Sequence, residues 1–244
     1  MIQLRDVYKS FSPTLRPLRG ISLDVEKKTT MVVLGRSGTG KSVLLKSIVG
    51  LLEADSGSIR VDDTEVVGAG EKTLLDIRRR VGYVFQSGAL FDSMTVAENL
   101  AFPLRKTSDL SNKEIHEKVG HYLEQVGLPD KGNRMPSELS GGQRKRIGVA
   151  RTIVTEPEYL LYDEPTTGLD PQTTRDIAEL IVKLEEELGI TGIVVTHDPY
   201  CLQIVADRVA LIEEGQIVFE GTVDDARHSQ NEFLEVFFTL EEQT

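Results

Sequence analysis

The stretch Gly35-Arg36-Ser37-Gly38-Thr39-Gly40-Lys41-Ser42 constrains this chain more than any other. It fits the pattern G-x-x-x-x-G-K-[ST], a loop that wraps the phosphates of a nucleoside triphosphate. Glycines let successive backbone N–H groups converge on an anion without Cβ clashes. A helix opening directly after the loop adds unpaired N–H groups and the positive end of its dipole. Lys41 is placed to bridge the β- and γ-phosphates, and Ser42 to offer its hydroxyl to Mg2+. The flanks agree with this reading. Met31-Val32-Val33-Leu34 reads as a buried strand, and Val43, Leu44, Leu45, Ile48 and Val49 recur at helical spacing. A random chain of this length would match the four fixed positions on the order of one time in a hundred. A chance glycine-rich turn is the weaker explanation, and the stretch is read as a nucleotide site.

The rest of the composition bounds what surrounds it. The chain has 244 residues, which predicts one large domain or two intimately joined ones. Apolar runs span only a few residues, and the first ten residues lack the apolar core of a signal peptide. The expectation is therefore a cytoplasmic protein. A single cysteine, Cys201, excludes an internal disulfide, and the four histidines show no metal-ligand spacing. A net charge of −11 argues against nucleic acid as the main partner, because phosphate binding rests on cationic surface. The short runs Arg78–Arg80 and Arg144–Arg146 read as solvated helix faces.

Along the chain, Ile2, Leu4, Ile21, Leu23 and Val25 show period-2 patterning, which predicts antiparallel strands leading to the phosphate loop. Two short strands are expected over Ser58–Val67 and another over Val81–Phe85. From about residue 88 to 157 the pattern turns helical, with helices over Thr95–Leu104, Ser111–Val126 and Gly141–Thr155. The second of these opens with a capping box, Ser111 with Glu114. The βα rhythm then returns: strand Tyr159–Asp163, helix Pro171–Leu188, strand Gly192–Thr196, a helix after Pro199, and strands Arg208–Ile212 and Gln216–Phe219. An α/β sheet with a mostly helical insertion is the economical fold. It divides the chain into a nucleotide-binding core (1–88 and 158–230), a helical part (89–157) and a short C-terminal helix (231–244).

Two further stretches carry chemistry. Tyr159-Leu160-Leu161-Tyr162-Asp163-Glu164 is an apolar strand ending in two carboxylates. Beside the phosphate loop, Asp163 can hold the Mg2+ shell, and Glu164 can accept a proton from an attacking water. Leu139-Ser140-Gly141-Gly142-Gln143 places a good N-cap before two glycines, which leaves N–H groups bare for an anion.

In order, the phosphate loop, Gln86, Leu139–Gln143, Asp163-Glu164 and His197 resemble the ATP-binding cassette (ABC) ATPases, from about Ile2 to Arg227. The resemblance implies a RecA-like P-loop core with an N-terminal antiparallel β subdomain and an inserted helical subdomain. It also implies ATP and Mg2+ as ligands. Phe11 sits where that family stacks adenine, with Tyr8 a second candidate. Gln86 would link Mg2+ and water to a membrane subunit, Asp170 would belong to a dimer-contact loop, and His197 would hydrogen-bond the γ-phosphate. Within the family, Phe85–Val96 and Leu161–Pro171 resemble the ATPase subunit of Mla/MCE-type lipid transporters. Gln143 departs from them, since many carry methionine there.

The family's mechanism implies a homodimer, each ATP held by Ser37–Ser42 of one chain and Ser140–Gly142 of the other. It implies membrane permease subunits docking on the apolar Ala89-Leu90-Phe91, an MCE-domain lipid-binding protein, and a peripheral place on the inner face of the cell membrane. An amino-acid importer or a lipoprotein-releasing system is the alternative. Chromosome-maintenance, translation-type and non-catalytic relatives fit less well: the insertion is short and cysteine-free, one cassette is present, and Glu164 and His197 are both retained. In the tail, Phe233, Val236, Phe237 and Leu240 form one helical stripe. It is expected to dock either on its own domain or on the second chain of a dimer.

Overall fold

The computed structural model describes residues 1–241, with side chains described through Thr239. Its centre is a six-stranded sheet in the order β10-β9-β3-β8-β7-β6. These strands span Thr30–Leu34 (β3), Val81–Val84 (β6), Tyr159–Asp163 (β7), Thr191–Val195 (β8), Arg208–Glu213 (β9) and Gln216–Gly221 (β10). β3, β6, β7, β8 and β9 run parallel, and β10 closes one edge antiparallel to β9. Every residue of β3, β7 and β8 is buried. Strands covered on both faces read as continuous apolar runs, which is how Met31–Leu34 and Tyr159–Tyr162 stand in the sequence.

The pleat divides those runs between two cores. Val32, Leu34, Leu160, Tyr162, Val194 and Leu211 pack on one side with helices α3 (Val96–Thr107), α4 (Asn112–Gln125), α5 (Gly141–Ile153), α6 (Pro171–Leu188) and α7 (Pro199–Val205). Met31, Val33, Leu161, Ile193, Val195 and Ile212 pack on the other with α1 (Lys41–Ile48). That second face is also covered by a four-stranded antiparallel sheet, in the order β2-β1-β4-β5. Its strands are β1 (Ile2–Lys9), β2 (Leu18–Val25), β4 (Ser56–Val61) and β5 (Thr64–Glu65).

The expected elements are present, with ends moved by a few residues. Two helices escaped the sequence reading: the five-residue Val223–Arg227, too short to show a period, and α2, Glu71–Arg80, which buries only Ile77, so its apolar stripe is too narrow to register. The basic runs are in part a correction. Arg78 donates to the carbonyls of Val49 and Gly50, and Arg80 pairs with Asp62 and Glu158. Arg144 donates to the Pro136 carbonyl, Arg146 pairs with Asp176, and Lys145 is buried. Their charged ends fasten segments together, while Arg78, Arg79 and Arg144 remain exposed to solvent, as expected, and Lys145 does not.

After a short helix, α8 (Val223–Arg227), the tail forms α9, Glu232–Glu241. It docks on its own domain, through a stripe other than the expected one. Leu234, Phe237 and Phe238 are buried in the core shared with α7, whereas Val236 is 55% exposed. The helix is rotated so that Leu234, which the expected stripe omitted, points inward. Leu240, which that stripe included, has its side chain outside the described residues. Burying one leucine and two phenylalanines contributes roughly 5–9 kcal/mol gross, at ~1.5–3 each. That is ample to hold a helix too short to persist alone.

Glu185 of α6 is a carboxyl inside the domain. Thr30 Oγ1 donates to its Oε2 at 2.5 Å, while Oε1 has no hydrogen-bond partner among the described residues. Burial raises its pKa from 4.5 to about 7. The folded chain therefore holds this proton more tightly than the unfolded chain. Stability from this group is complete below about pH 4.5 and is lost as pH rises through about 7. The shift is worth on the order of 3 kcal/mol. Replacing Glu185 by Gln should flatten the stability profile between pH 5 and 8 in denaturant titrations, and an unchanged profile would show that Glu185 is not its source.

Candidate active site

β3 delivers its loop to the carboxyl end of the sheet, the edge where open α/β sheets bind ligands. Gly40 has φ +106°, and a Cβ there would stand 2.3 Å from the Pro17 carbonyl oxygen, so only glycine fits. Lys41 is buried and folds back on the loop, donating to the carbonyls of Gly35 (2.8 Å) and Arg36 (3.0 Å). Burial lowers its pKa, partly countered by the carboxylates of Glu164 and Asp163. Thr39 Oγ1 donates to the Arg36 carbonyl, which tightens the same turn.

The parallel register sets β7 and β8 beside that loop. Ser42 Oγ donates to Asp163 Oδ1 at 2.7 Å, and Tyr83 donates to Asp163 Oδ2 at 2.8 Å. Burial, with the neighbouring carboxylate, drives the Tyr83 hydroxyl well above the ordinary phenol range. Glu164, one residue on, has φ +54°, in the left-handed region. Its Oε2 lies 2.7 Å from His197 Nδ1 and accepts from Thr167 Oγ1 at 3.0 Å. Glu164 is largely covered and His197 largely open, with side-chain exposures of 14% and 63%.

These groups surround a cleft of about 680 Å³. Its walls include Gly35 to Gly38, Gly40 to Ser42, Gln86, Glu164, His197 and Phe11. Phe11 is 53% exposed, and the Lys9 ammonium lies 5.8 Å from its ring centroid. Tyr8 does not line the cleft; its hydroxyl lies against Gly20. Leu15, Pro17, Phe233 and Phe237 complete the wall.

Five expected participants, Ser140–Gln143 and Asp170, lie away from the cleft. Ser140 caps α5 in a capping box, accepting from Gln143 N at 3.3 Å while Gln143 Oε1 accepts from Ser140 N at 3.1 Å. Gly141 and Gly142 follow as the first residues of α5. Asp170 caps α6, accepting from Thr173 N at 3.0 Å and Thr173 Oγ1 at 2.6 Å. None of Ser140–Gln143 or Asp170 lines the cleft. Sequence reasoning also missed Tyr83, Thr167 and the tail phenylalanines. Tyr83 stands opposite Leu161 on the neighbouring strand, two positions before Asp163 on the same face. Only strand order could have revealed that.

A second groove, about 400 Å³, runs between the sheet and the helical part, lined by Leu51, Phe85, Gly88, Pro103 and Arg151 among others. Phe85 and Phe91 are each 38% exposed, whereas Leu90 packs against the core. Of the expected apolar docking triplet, it is Phe91 that faces outward.

A phosphate loop between β3 and α1, paired carboxylates at the end of β7 two strands away and the helices that follow β6 define a P-loop nucleotide-binding domain of the cassette type. Residues 18–167 match the family described as ABC transporter, and the chain belongs to that family. It is 42% identical over 223 residues to the methionine import ATP-binding protein MetN of Rhizobium johnstonii, covering 91% of this chain and 61% of that protein. It is 41% identical to MetN 2 of Rhodococcus jostii, covering 92% and 67%. The chain thus spans six- to seven-tenths of the length of these curated relatives. Among solved structures, the dimeric post-hydrolysis state of the cassette MJ0796 bound to ADP and Pi superposes with a TM-score of 0.84 at 30% identity, covering 91% of this chain and 99% of that one. CbiO1 from Clostridium perfringens, part of the transporter complex CbiONQ, gives 0.84 at 28% identity, covering 98% of both.

A hydrogen bond to a charged group contributes about 1.5–3 kcal/mol. Tyr83→Phe should therefore destabilise the chain by that order in urea unfolding. A loss near zero would show that Tyr83 does not hold Asp163.

Proposed function

We propose that this chain is the ATP-hydrolysing subunit of an ABC transporter and that it works as a pair of identical copies. The contact between Glu164 Oε2 and His197 Nδ1, 2.7 Å apart at the cleft that holds Lys41, carries the reading. ATP would lie with its adenine on Phe11 and its phosphates along Gly35–Ser42. Lys41 would leave the carbonyls of Gly35 and Arg36 for the β- and γ-phosphates, a small rotation of a side chain already in the cleft. Glu164 would take the proton of the attacking water, oriented by Thr167 and His197. His197 keeps its other ring nitrogen for the γ-phosphate. Ser42 Oγ and Asp163 Oδ1 are hard oxygen donors of the kind Mg2+ selects, and Gln86 lies on the same cleft. Mg2+ held there would neutralise charge on the phosphates.

The cleft of one chain is open where a second set of donors is needed. Ser140–Gly142 and Asp170 sit away from it; the Ser140 side chain takes the Gln143 N–H, which leaves the Gly141 and Gly142 N–H groups at the start of α5 without an intrahelical partner. A second copy turned head to tail supplies them, and ATP then acts as an interfacial ligand that favours the closed pair. Membrane subunits would dock in the groove beside Phe85 and Phe91 and place the pair peripherally at the inner face of the membrane.

For the cargo, the similar proteins are named for methionine import, which supports amino-acid import over the lipid reading. The Mla/MCE resemblance rested on Phe85–Val96 and Leu161–Pro171, and an MCE-domain partner finds no support among those relatives. Both stretches serve the ATP cleft and the docking groove, whose chemistry is the same for any cargo. Mass spectrometry of what co-purifies from native membranes should find a multi-spanning permease with an amino-acid-binding component. An MCE-domain protein in its place would restore lipid transport.

Glu164→Gln keeps the hydrogen-bonding shape and removes the base. Turnover should fall by ~10²–10⁴, with ATP affinity retained and ATP-bound pairs accumulating in gel filtration. Near-normal turnover would rule out Glu164 as the base.

A further inference from the structure

The helix that begins at Ser140 crosses directly over the segment that leaves the cleft at Gln86. Three residues of α5, spaced a turn apart, grip it. Lys145 Nζ donates to the Gln86 carbonyl, and Arg151 Nη1 donates to the Ala89 carbonyl. Between them Gly148 lies against Gly88 so closely that a Cβ on Gly148 would stand 2.8 Å from the Gly88 Cα. The Arg151 guanidinium then lies 4.6 Å from the Phe91 ring centroid.

Lys145 makes one contact that the other two do not. Its ammonium also donates to the Glu164 carbonyl, at 3.2 Å. The side chain is buried, with 8% of the residue exposed, and burial lowers its pKa against the opposing pull of the Glu164 carboxylate. Glu164 has a left-handed backbone, which a residue bearing a Cβ adopts only at an energetic cost. Such a conformation persists only where its surroundings over-determine it. Here the Glu164 N–H is held by the Val195 carbonyl at 2.9 Å. Its C=O is held by Lys145 and, among the described residues, otherwise by the Thr167 N–H alone, at 3.4 Å. One amine therefore fixes the peptide that aims the carboxylate, the peptide of Gln86, and the helix whose first turn carries Ser140–Gly142.

We propose that Lys145 is a positioning residue for ATP hydrolysis, locking the Glu164 turn and the Gln86 segment to the helix that begins at Ser140. Charge-assisted bonds to two carbonyls from distant parts of the chain give that lock its strength. Movement of the Gln86 segment, beside the docking groove, is thereby felt at the base and at the donors offered to the second copy. The inference rests on the ATPase reading above, and on no feature of cargo.

The experiment compares Lys145→Met, Lys145→Arg and the unaltered full-length chain in two measurements. In MgATP hydrolysis, Lys145→Met should lower kcat about tenfold or more with KM within about twofold, since a displaced catalytic group is lost to the transition state and not to binding. Lys145→Arg keeps the donors and should recover most of that rate. In amide hydrogen exchange without nucleotide, Lys145→Met should speed exchange at residues 86–91 and 164–168 and leave the body of α6 unchanged. Should Lys145→Met fail to fold, Lys145→Gln, which loses the charge, carries the same comparison. An active parent with unchanged kcat in the charge-less variant overturns the positioning role, as does equal loss in Lys145→Arg. An inactive parent overturns the ATPase reading instead, and the exchange measurement then still decides whether Lys145 holds the two segments.

Discussion

Parallel strands buried on both faces leave the chain one place to put polar chemistry: the ends of the strands. β3 and β7 each pair with β8, with Val33 and Asp163 both opposite Val195, so the three strands finish within a residue of one another. The residues that follow them, Gly35 to Ser42, Glu164 and His197, are thereby gathered at one edge. Nothing in those loops has enough apolar surface to find its own place. Their positions are inherited from the core beneath, through the pleat that sends Val32, Leu160 and Val194 to one side and Val33, Leu161 and Val195 to the other.

Side chains with few alternatives then refine what the sheet places. Asp163 is held from two sides by Ser42 and Tyr83. Glu164 is held through its N–H by Val195, through its C=O by Lys145, and through its carboxylate by His197 and Thr167. A left-handed residue held this fully has exchanged local comfort for direction. The same logic accounts for the basic residues that composition alone assigned to solvent. Arg78, Arg80, Arg144 and Lys145 donate to backbone carbonyls or to carboxylates on other elements. Guanidinium and ammonium groups suit that work, because their long apolar stems pack while the charged ends reach acceptors.

The helical part follows a different rule. Its helices are amphipathic and well capped: Thr95, Ser111 and Ser140 each close a capping box. Such local signals need no partner elsewhere in the chain, so they stop and start helices wherever they stand. The tail helix lacks that autonomy. It exists where Leu234, Phe237 and Phe238 find the core beside α7, and Phe233 and Phe237 end up on the wall of the cleft beside Lys41.

The amino-acid sequence by itself determined the phosphate loop, the strand-helix order and most of the capped helices, because each depends on residues within a few positions of one another. It also set Ser140–Gln143, Asp163-Glu164 and His197 in the order by which the chain resembles its family. Cargo was not legible in the stretches that resembled lipid transporters, whose Gln86 and Glu164 line the cleft beside Lys41. Only the tertiary structure decided that Tyr83 holds Asp163, that Phe11 and not Tyr8 faces the cleft, and that Lys145 is buried between Gln86 and Glu164. It decided the rotation of the tail helix too, turning Leu234 inward and Val236 out. The physical reason is common to all four. Each depends on a contact between segments distant in sequence, and no local periodicity encodes which partner a side chain meets when the sheet closes.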